Sequence, residues 1–567
     1  VPGQVRSGKT ICEQIADPID NFYNINSNEW IGSMTDFITD QQYIAEYLRD
    51  ESRLEGRADS ISFPRSEEEI LEIAADTEKR GMPLTIQGSR TGITGGAVPL
   101  GGHILNLSRM NRVLGMRRAE HDNAFYLSVE PGLKLQELNR VCAARDFDTT
   151  AWDQESLAAL EVFGRQGAYF FPPDPTETSA SIGGMVSCNA SGARTLFYGS
   201  TRNYIQSLHI ILAGGHRLIL TRGRERANRG SFTIRTEGNA LHAPHTFSGR
   251  IPSYKRPEVK NAAGYFSGEN TELIDLFIGS EGTLGIVSLA ELRLIPAPPC
   301  VWGGIFFFSA EMTAVGFTEL IRTDEYVKAK SGEGTSLAAM EFYDARALSL
   351  ASTLPTRDFP LPPEGAAAAL YVEFHGRDEE AVGACFIHLA GLLEHMGEDP
   401  ELNWLAANPT ELGKLSAFRH AVPEAVNLLV DKNKKEYRQL TKLGTDMAVP
   451  DDKLAEVYEL YRSVLAPSAL DYTLFGHIGN NHLHANIIPH NQREYDLGKS
   501  LYLQMARSVL KMGGTISAEH GIGKLKTELL KAMYGEQGLA EMMALKTSFD
   551  PHALLNRGNL WESGARP

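Results

Sequence analysis

The spacing of hydrophobic and polar positions changes several times along this chain, and each change predicts an element. Ser66-Glu-Glu-Glu69 followed by Ile70, Leu71, Ile73 and Ala74 has the polar start and helical spacing of an amphipathic helix opened by a capping box. Gly81 ends it, and Pro83-Leu-Thr-Ile86 predicts a short strand entering a glycine-rich turn. As far as Pro296, apolar runs such as Ile104–Leu107, Phe125–Val129 and Leu208–Leu212 alternate with glycine-rich turns and a few helices. Pro296-Ala-Pro-Pro299 can continue neither strand nor helix, so a domain boundary is expected there. Beyond it, Ala381–Leu393, Lys453–Leu465 and Tyr495–Lys511 have helical composition, and Ala368–Phe374 predicts a strand. Blocks of helices and strands predict an α+β second domain. The expected organisation is an N-terminal extension over 1–55, a first domain over 56–297, a second over 298–545 and a returning tail over 546–567. The extension is polar, with Phe22, Tyr23, Trp30 and Phe37 as its aromatic anchors.

Composition narrows the class. At 567 residues the chain is too long for one core, so more than one domain is expected. A net charge of −16 argues against nucleic acid or an anionic membrane as the main partner, while leaving room for a locally basic pocket. Cys12, Cys142, Cys188, Cys300 and Cys385 are scattered without a CxxC pair, which argues against a disulfide framework and an iron–sulfur cluster of the chain's own. No apolar window is long enough for a transmembrane helix, and Val1–Lys9 lead into no apolar run, so no secretory signal is expected. The expected location is cytoplasmic, with peripheral association at the inner membrane face left open.

Three glycine-rich segments stand out in the first domain: Gln87–Ala97, Pro173–Asn203 and Gly279–Val287. Glycines let the backbone approach phosphate oxygens, and successive N–H groups with Ser and Thr hydroxyls form an anion nest. None of them is GxGxxG or GxxxxGK[ST], so neither a dinucleotide fingerprint nor a P-loop is present.

In order and spacing these segments resemble the flavin domain of the vanillyl-alcohol-oxidase (PCMH-type) superfamily, over roughly residues 60–295. The resemblance implies a two-subdomain FAD-binding domain followed by an α+β cap domain with a large antiparallel sheet. It implies that Gly88, Ser89, Thr91, Gly92, Thr94 and Gly95 meet the FAD pyrophosphate. Pro173, Asp174, Ser181, Gly184, Asn189, Ser191 and Gly192 should line the cofactor, as should Glu281, Gly282 and Ile286. Many relatives attach the flavin through a His in the first loop or a Cys in the second. Here the first loop has no His and Cys188 reads as a packing residue, so non-covalent FAD is expected.

The second domain carries Gly476-His477-Ile-Gly-Asn480-Asn481-His482-Leu-His484-Ala-Asn486. If Asn480-Asn481 is a two-residue hairpin loop, His477 lies opposite His484, about 5 Å away. His482 and Asn486 then fall on the same face. Downstream, Glu519-His520 sits in a glycine-rich turn. Two His and one Glu with an open position is a catalytic arrangement for Zn²⁺ or a similar divalent ion such as Mn or Fe. His477, His484 and Glu519 are the expected ligands.

These segments, with the tail Asp550-Pro-His-Ala-Leu-Leu-Asn556-Arg-Gly, resemble the FAD-dependent D-2-hydroxy-acid dehydrogenases acting on D-lactate, glycolate or D-2-hydroxyglutarate. The resemblance spans about residues 60–560 and adds Asn556 to the cofactor residues. It implies Asn486 at the substrate, His520 as the base and Arg419 as the carboxylate clamp, suited by its planar fork. The implied reaction sends a hydride from the 2-hydroxy acid to flavin N5, leaving a 2-oxo acid. That family's hairpin is His-x-Gly-Asp-Gly-Asn-x-His, so His482 replaces an Asn and is open to three roles: ligand, substrate contact or turn residue. Lys442 stands about two residues from the family's substrate lysine. With no NAD fingerprint, electrons should leave to an external acceptor: a quinone, an electron-transfer flavoprotein, a cytochrome or an iron–sulfur subunit. The expected assembly is a homodimer or a subunit of a complex. Two other readings are an FAD-dependent ether-lipid synthase without net redox, and a flavin-binding subunit of an electron-transfer complex.

Overall fold

The computed structural model describes residues 37–562 apart from 120–122, 355–357 and 439. Phe22, Tyr23 and Trp30 of the expected extension lie outside these residues; Phe37 stacks on His103 with ring centroids 3.9 Å apart.

The first part of the chain opens with β1 (Ser60–Ser62), α1 (Glu67–Lys79), β2 (Leu84–Gln87) and β3 (His103–Asn106). The three strands form a parallel sheet in the order β1-β3-β2. Ser66 caps α1 by accepting the Glu69 N–H at 3.3 Å. The return half of the expected capping box closes one residue early, because the Glu69 carboxylate accepts from the Arg65 N–H at 2.9 Å. A second sheet is built from β4 (Val113–Arg118), β5 (Phe125–Val129), β6 (Ile205–Ile211), β7 (Arg217–Thr221) and β8 (Ile286–Pro296). Its antiparallel order is β4-β5-β8-β6-β7, with Tyr169–Phe170 also pairing β8.

The proline run after β8 separates this sheet from the next. There β9 (Cys300–Phe308), β10 (Ser336–Asp344), β11 (Ala368–Gly376), β12 (Tyr472–His477) and β13 (His482–Ile487) are the main strands of an eight-stranded antiparallel sheet. The order runs Trp404–Ala406, β9, β11, β10, β12, β13, Leu443–Gly444, and Met447–Ala448 also pairs β13. Its two faces go to different partners, as a period of two requires. Phe306, Phe308, Met340, Phe342, Val372 and Leu474 join the main core. Ile305, Phe307, Ala339, Tyr343, Tyr371 and Phe475 face the other way, against Phe418, Val422 and Val426 of helix α2 (Pro409–Lys434).

Helix α2 carries Pro423 in its interior. A proline has no N–H to give the carbonyl four residues earlier, which here is that of Arg419. The helix nevertheless persists, held by its buried face. After α3 (Thr527–Phe549) the tail returns to the first sheet, where Leu555 bridges Leu84 and the Asn556 N–H donates to the Leu84 carbonyl at 2.9 Å. Among the described residues no helix is long and apolar enough to cross a membrane.

Candidate active site

The glycine-rich segments, far apart in sequence, converge. A Cβ on Gly88 would meet Ser181 Oγ at 2.1 Å, and one on Gly192 would meet the Asp174 carbonyl oxygen at 2.0 Å. Only glycine permits these approaches. Ser181 caps the helix Ile182–Cys188, with its Oγ accepting from Gly184 N–H at 3.4 Å and from Ser89 N–H at 3.3 Å. Asn189 ends that helix in the left-handed region and accepts from Arg202 N–H. Ser191 Oγ is buried with no hydrogen-bond partner, and Pro173 is buried beside Asp174. An unsatisfied hydroxyl between such close-set backbones fits a cofactor with polar edges.

The side chains of two of the expected cofactor residues, Glu281 and Asn556, also tie the segments together. The Glu281 carboxylate accepts from the Ile522 and Gly523 N–H groups at 2.6 and 2.7 Å. Asn556 takes the Ile86 N–H at 2.8 Å and donates to the Glu281 carbonyl at 2.7 Å, where Gly282 leaves room for it. Ile286 is a core residue at the start of β8. On the first loop, Thr94 packs on the His520–Lys524 turn, and Lys524 Nζ donates to the Gly95 carbonyl at 3.0 Å. Thr91 is half-buried and Gly92 exposed.

The histidine hairpin differs from the expected one. Its turn has four residues, Ile478–Asn481, and the register puts His477 opposite His482, with His484 opposite Phe475. Only Asn481 takes a positive φ, so a two-residue turn needing two such residues cannot form. Ile478 is buried, and the Asn481 amide donates to the Val449 and Pro450 carbonyls, which holds the wider turn. The face is unchanged by this shift: His477, His482, His484 and Asn486 share it. His477 and His484 become diagonal neighbours with centroids 5.9 Å apart, and His482 sits 4.3 Å from His484.

The same sheet face carries Glu341, Tyr371 and Glu373, and Glu519 reaches it from the turn after Ser517. His477 Nε2, His482 Nδ1 and His484 Nε2 lie 3.5, 3.9 and 3.5 Å from the Glu519 carboxylate. Ligand atoms of these four residues lie within 4.8 Å of one another. The far nitrogen of each ring faces an acceptor. His484 Nδ1 donates to the Thr445 carbonyl at 2.7 Å, His477 Nδ1 lies 3.1 Å from Glu341, and His482 Nε2 lies 3.1 Å from Asp446. His477 Nδ1 and both nitrogens of His482 are off hydrogen-bond geometry in spite of these distances, so their capacity is unspent. Outer acceptors behind converging ring nitrogens are the arrangement that orients metal-binding histidines, and the donor set fits a divalent ion.

Cations surround the cluster. Arg419 Nε donates to Glu341 Oε2, with the guanidinium 4.6 Å over the Tyr371 ring. Lys442 Nζ lies 5.8 Å over Phe475, on the histidine face. Lys260 Nζ donates to Glu519 Oε2 at 2.6 Å and to the Gly192 carbonyl at 3.2 Å. Asp446, fully buried, accepts from the N–H groups of Ala518, Glu519 and His520 and from Lys526 Nζ. It thereby shapes the turn that presents Glu519 and His520. His520 stands between the two carboxylates, Nδ1 3.4 Å from Asp446 and Nε2 3.4 Å from Glu519.

Charge states follow from this packing. Burial disfavours charge on His477 and Lys260 adds to that, yet Glu519 and Glu341 hold its pKa up to about 9. Burial lowers His482 and His484, keeping them neutral. Burial would raise Glu519, but Lys260 and the histidines hold it well below the usual carboxylate range. Lys442, with burial as the cause, is lowered to about 8.

The structure thus brings together His477, His482, His484, Asn486, Glu519, His520, Arg419 and Lys442, all anticipated from the sequence. Lys260, Glu341, Tyr371 and Asp446 were not anticipated. The Lys260–Glu519 contact joins positions 259 apart, which no local pattern reveals. For Asp446, its place in Asp446-Met-Ala-Val-Pro450 was the available signal.

Residues 58–152 and 155–221 match the FAD binding domain, and residues 313–560 match the C-terminal domain of FAD linked oxidases. The chain is 28% identical over 521 residues to a protein of Danio rerio named probable D-lactate dehydrogenase, mitochondrial, covering 91% of this chain and 87% of that one. It is 26% identical over 528 residues to D-lactate dehydrogenase of Anaerostipes hadrus, covering 91% and 92%. Among solved structures, p-cresol methylhydroxylase with substrate bound superposes with a TM-score of 0.61 at 12% identity, covering 93% of this chain and 94% of that one. The FAD binding domain and the large antiparallel sheet together define an FAD-linked oxidoreductase with the PCMH-type fold. Within that class, the chain belongs to the FAD linked oxidases, and it is similar to proteins named D-lactate dehydrogenase, D-2-hydroxyglutarate dehydrogenase and glycolate oxidase subunit GlcD.

Proposed function

We propose that this protein oxidises a small D-2-hydroxy acid of the D-lactate, D-2-hydroxyglutarate or glycolate class to the 2-oxo acid, with help from a divalent metal. The observation that carries this reading is one sheet face holding Glu519, three histidine nitrogens aimed at it and Arg419. His477, His482, His484 and Glu519 would hold the metal, Zn being the ion best suited to nitrogen and carboxylate donors, with Mn or Fe as alternatives. Bound FAD supplies the two-electron acceptor, and a bound divalent ion supplies Lewis-acid charge that acidifies an alcohol.

The chain's own residues do the rest. Arg419, its Nε taken by Glu341, keeps its terminal nitrogens for the substrate carboxylate. Asn486 and Lys442 border the same space and suit the hydroxyl and any second anionic group. His520, half-buried between Asp446 and Glu519, takes the hydroxyl proton. Burial pushes the Cys188 thiol up to about 12, which supports a non-covalent flavin. Electrons then pass to an external acceptor, a quinone, electron-transfer flavoprotein, cytochrome or iron–sulfur subunit, in a cytoplasmic or membrane-peripheral setting.

Anaerobic mixing of the purified flavoprotein with D-lactate, D-2-hydroxyglutarate and glycolate tests this. At least one should bleach the flavin. His520→Ala should slow that bleaching by about 10²–10⁴-fold while retaining FAD. Undiminished bleaching in the variant would remove His520 from the role.

A further inference from the structure

Lys260 is a buried cation inside what the preceding reading takes to be a metal site. Its side chain is 4% exposed, and its ammonium donates to the same Glu519 oxygen that His477 Nε2 and His482 Nδ1 approach. Its segment is fixed. The Ala262 N–H donates to the Ser517 carbonyl at 2.9 Å, and Asn261 Oδ1 accepts from Thr515 Oγ1 at 2.8 Å, so Lys260 is tied to the turn that carries Glu519.

Outside Lys260 lies a cavity of about 350 Å³ lined by Glu258, Val259, Lys260, Val449, Asp451 and Asn480. Glu258 and Asp451, its exposed acidic members, are paired with Lys255 and Arg322. Asn480 Oδ1, by contrast, is buried there without a hydrogen-bond partner. The unspent acceptor of this lining is therefore the Asn480 oxygen, and Lys260 stands between the cavity and the histidine nitrogens that share Glu519 with it. The Lys260 ammonium, held on Glu519, repels a cation that approaches the same carboxylate.

We propose that Lys260 is a resident cation that closes the ligand set in the metal-free protein, and that a divalent ion arriving through this cavity must displace it from Glu519. The proposal rests on the reading of His477, His482, His484 and Glu519 as metal ligands. Lys260 satisfies Glu519 when no ion is bound, which lets the buried carboxylate persist without metal. The same charge then weakens binding of any dication, since like charges a few ångströms apart repel strongly in a buried site.

The test measures Zn²⁺ affinity of the chelator-stripped, FAD-containing protein by competition with a chromophoric chelator. Lys260→Gln, which removes the charge, should bind Zn²⁺ about tenfold or more tightly than wild type. Lys260→Arg, which keeps the charge, should bind no more tightly than wild type. Retained flavin absorbance and thermal unfolding confirm that each variant is folded; if Lys260→Gln is not, Lys260→Met replaces it. Equal or weaker binding by the uncharged variant would overturn the proposal while leaving the metal site standing. Absence of Zn²⁺ binding in wild type and variants alike, with FAD retained, would overturn the metal reading and this proposal with it.

Discussion

At the residue scale, the site is governed by what stands behind each functional group. The Thr445 carbonyl fixes the proton of His484 on Nδ1, while Glu341 and Asp446 stand 3.1 Å behind His477 and His482 without hydrogen-bond geometry. Three ring nitrogens are thereby turned toward Glu519. His477, His484 and Glu519 were legible in the sequence because histidines around a turn and a Glu-His pair are local patterns. His482 was legible as a member of the face, although its role was left open. The acceptors behind the rings were not legible, since they come from other strands. Lys442 gives a prediction with a defined sign. Burial lowers its pKa to about 8, so its charge is present below that pH and lost above it. An anionic substrate held by Lys442 should then show kcat/KM falling about tenfold per pH unit above pH 8, because that parameter reports the free enzyme. A pH profile should lose this limb in Lys442→Met, and a limb that persists in the variant would acquit Lys442.

At the element scale, the glycine-rich loops were recognised but not all of their contacts were. Glu281 and Asn556 spend their polar groups on other loop backbones, holding the segments in place, and Ile286 is packed in the core. Sequence order shows that such loops occur together, but the partner of each side chain is set by the fold. The hairpin makes the same point. Its face was legible from the period of two, and its register was not, because register depends on turn length. Helix α2 was not among the helices expected from the sequence; it carries Pro423 in its interior and is held by its buried face. Gly92 offers a clean test of the loop. A Cβ there meets no protein atom within 4 Å, so Gly92→Ala should leave thermal stability nearly unchanged. If the loop cradles the FAD pyrophosphate, the same substitution should weaken FAD binding at least several-fold, measured by reconstitution of the flavin-free protein. Unchanged FAD affinity would place the pyrophosphate elsewhere.

At the scale of the whole molecule, the site is assembled from both parts of the chain. Glu519 is presented by the turn that Glu281 and Thr94 brace from the flavin side, and Lys260 reaches across to it. The tail closes the arrangement: Asn559 accepts from Lys524, and buried Lys546 ties Asp550 to the Thr283 carbonyl. The broad plan was legible from patterning and loop order: flavin-binding part, large antiparallel sheet, returning tail. The coupling between those parts was not, because it depends on single contacts across hundreds of residues. The central claim is that this assembled site oxidises a D-2-hydroxy acid with a metal's help. The most direct measurement is anaerobic flavin bleaching by the D and L forms of one 2-hydroxy acid, before and after metal removal and after restoring Zn²⁺ or Mn²⁺. Bleaching is expected with the D form only, lost on stripping and recovered on restoration, with FAD bound throughout. Equal bleaching by the stripped protein, or bleaching by neither form under any condition, would contradict it.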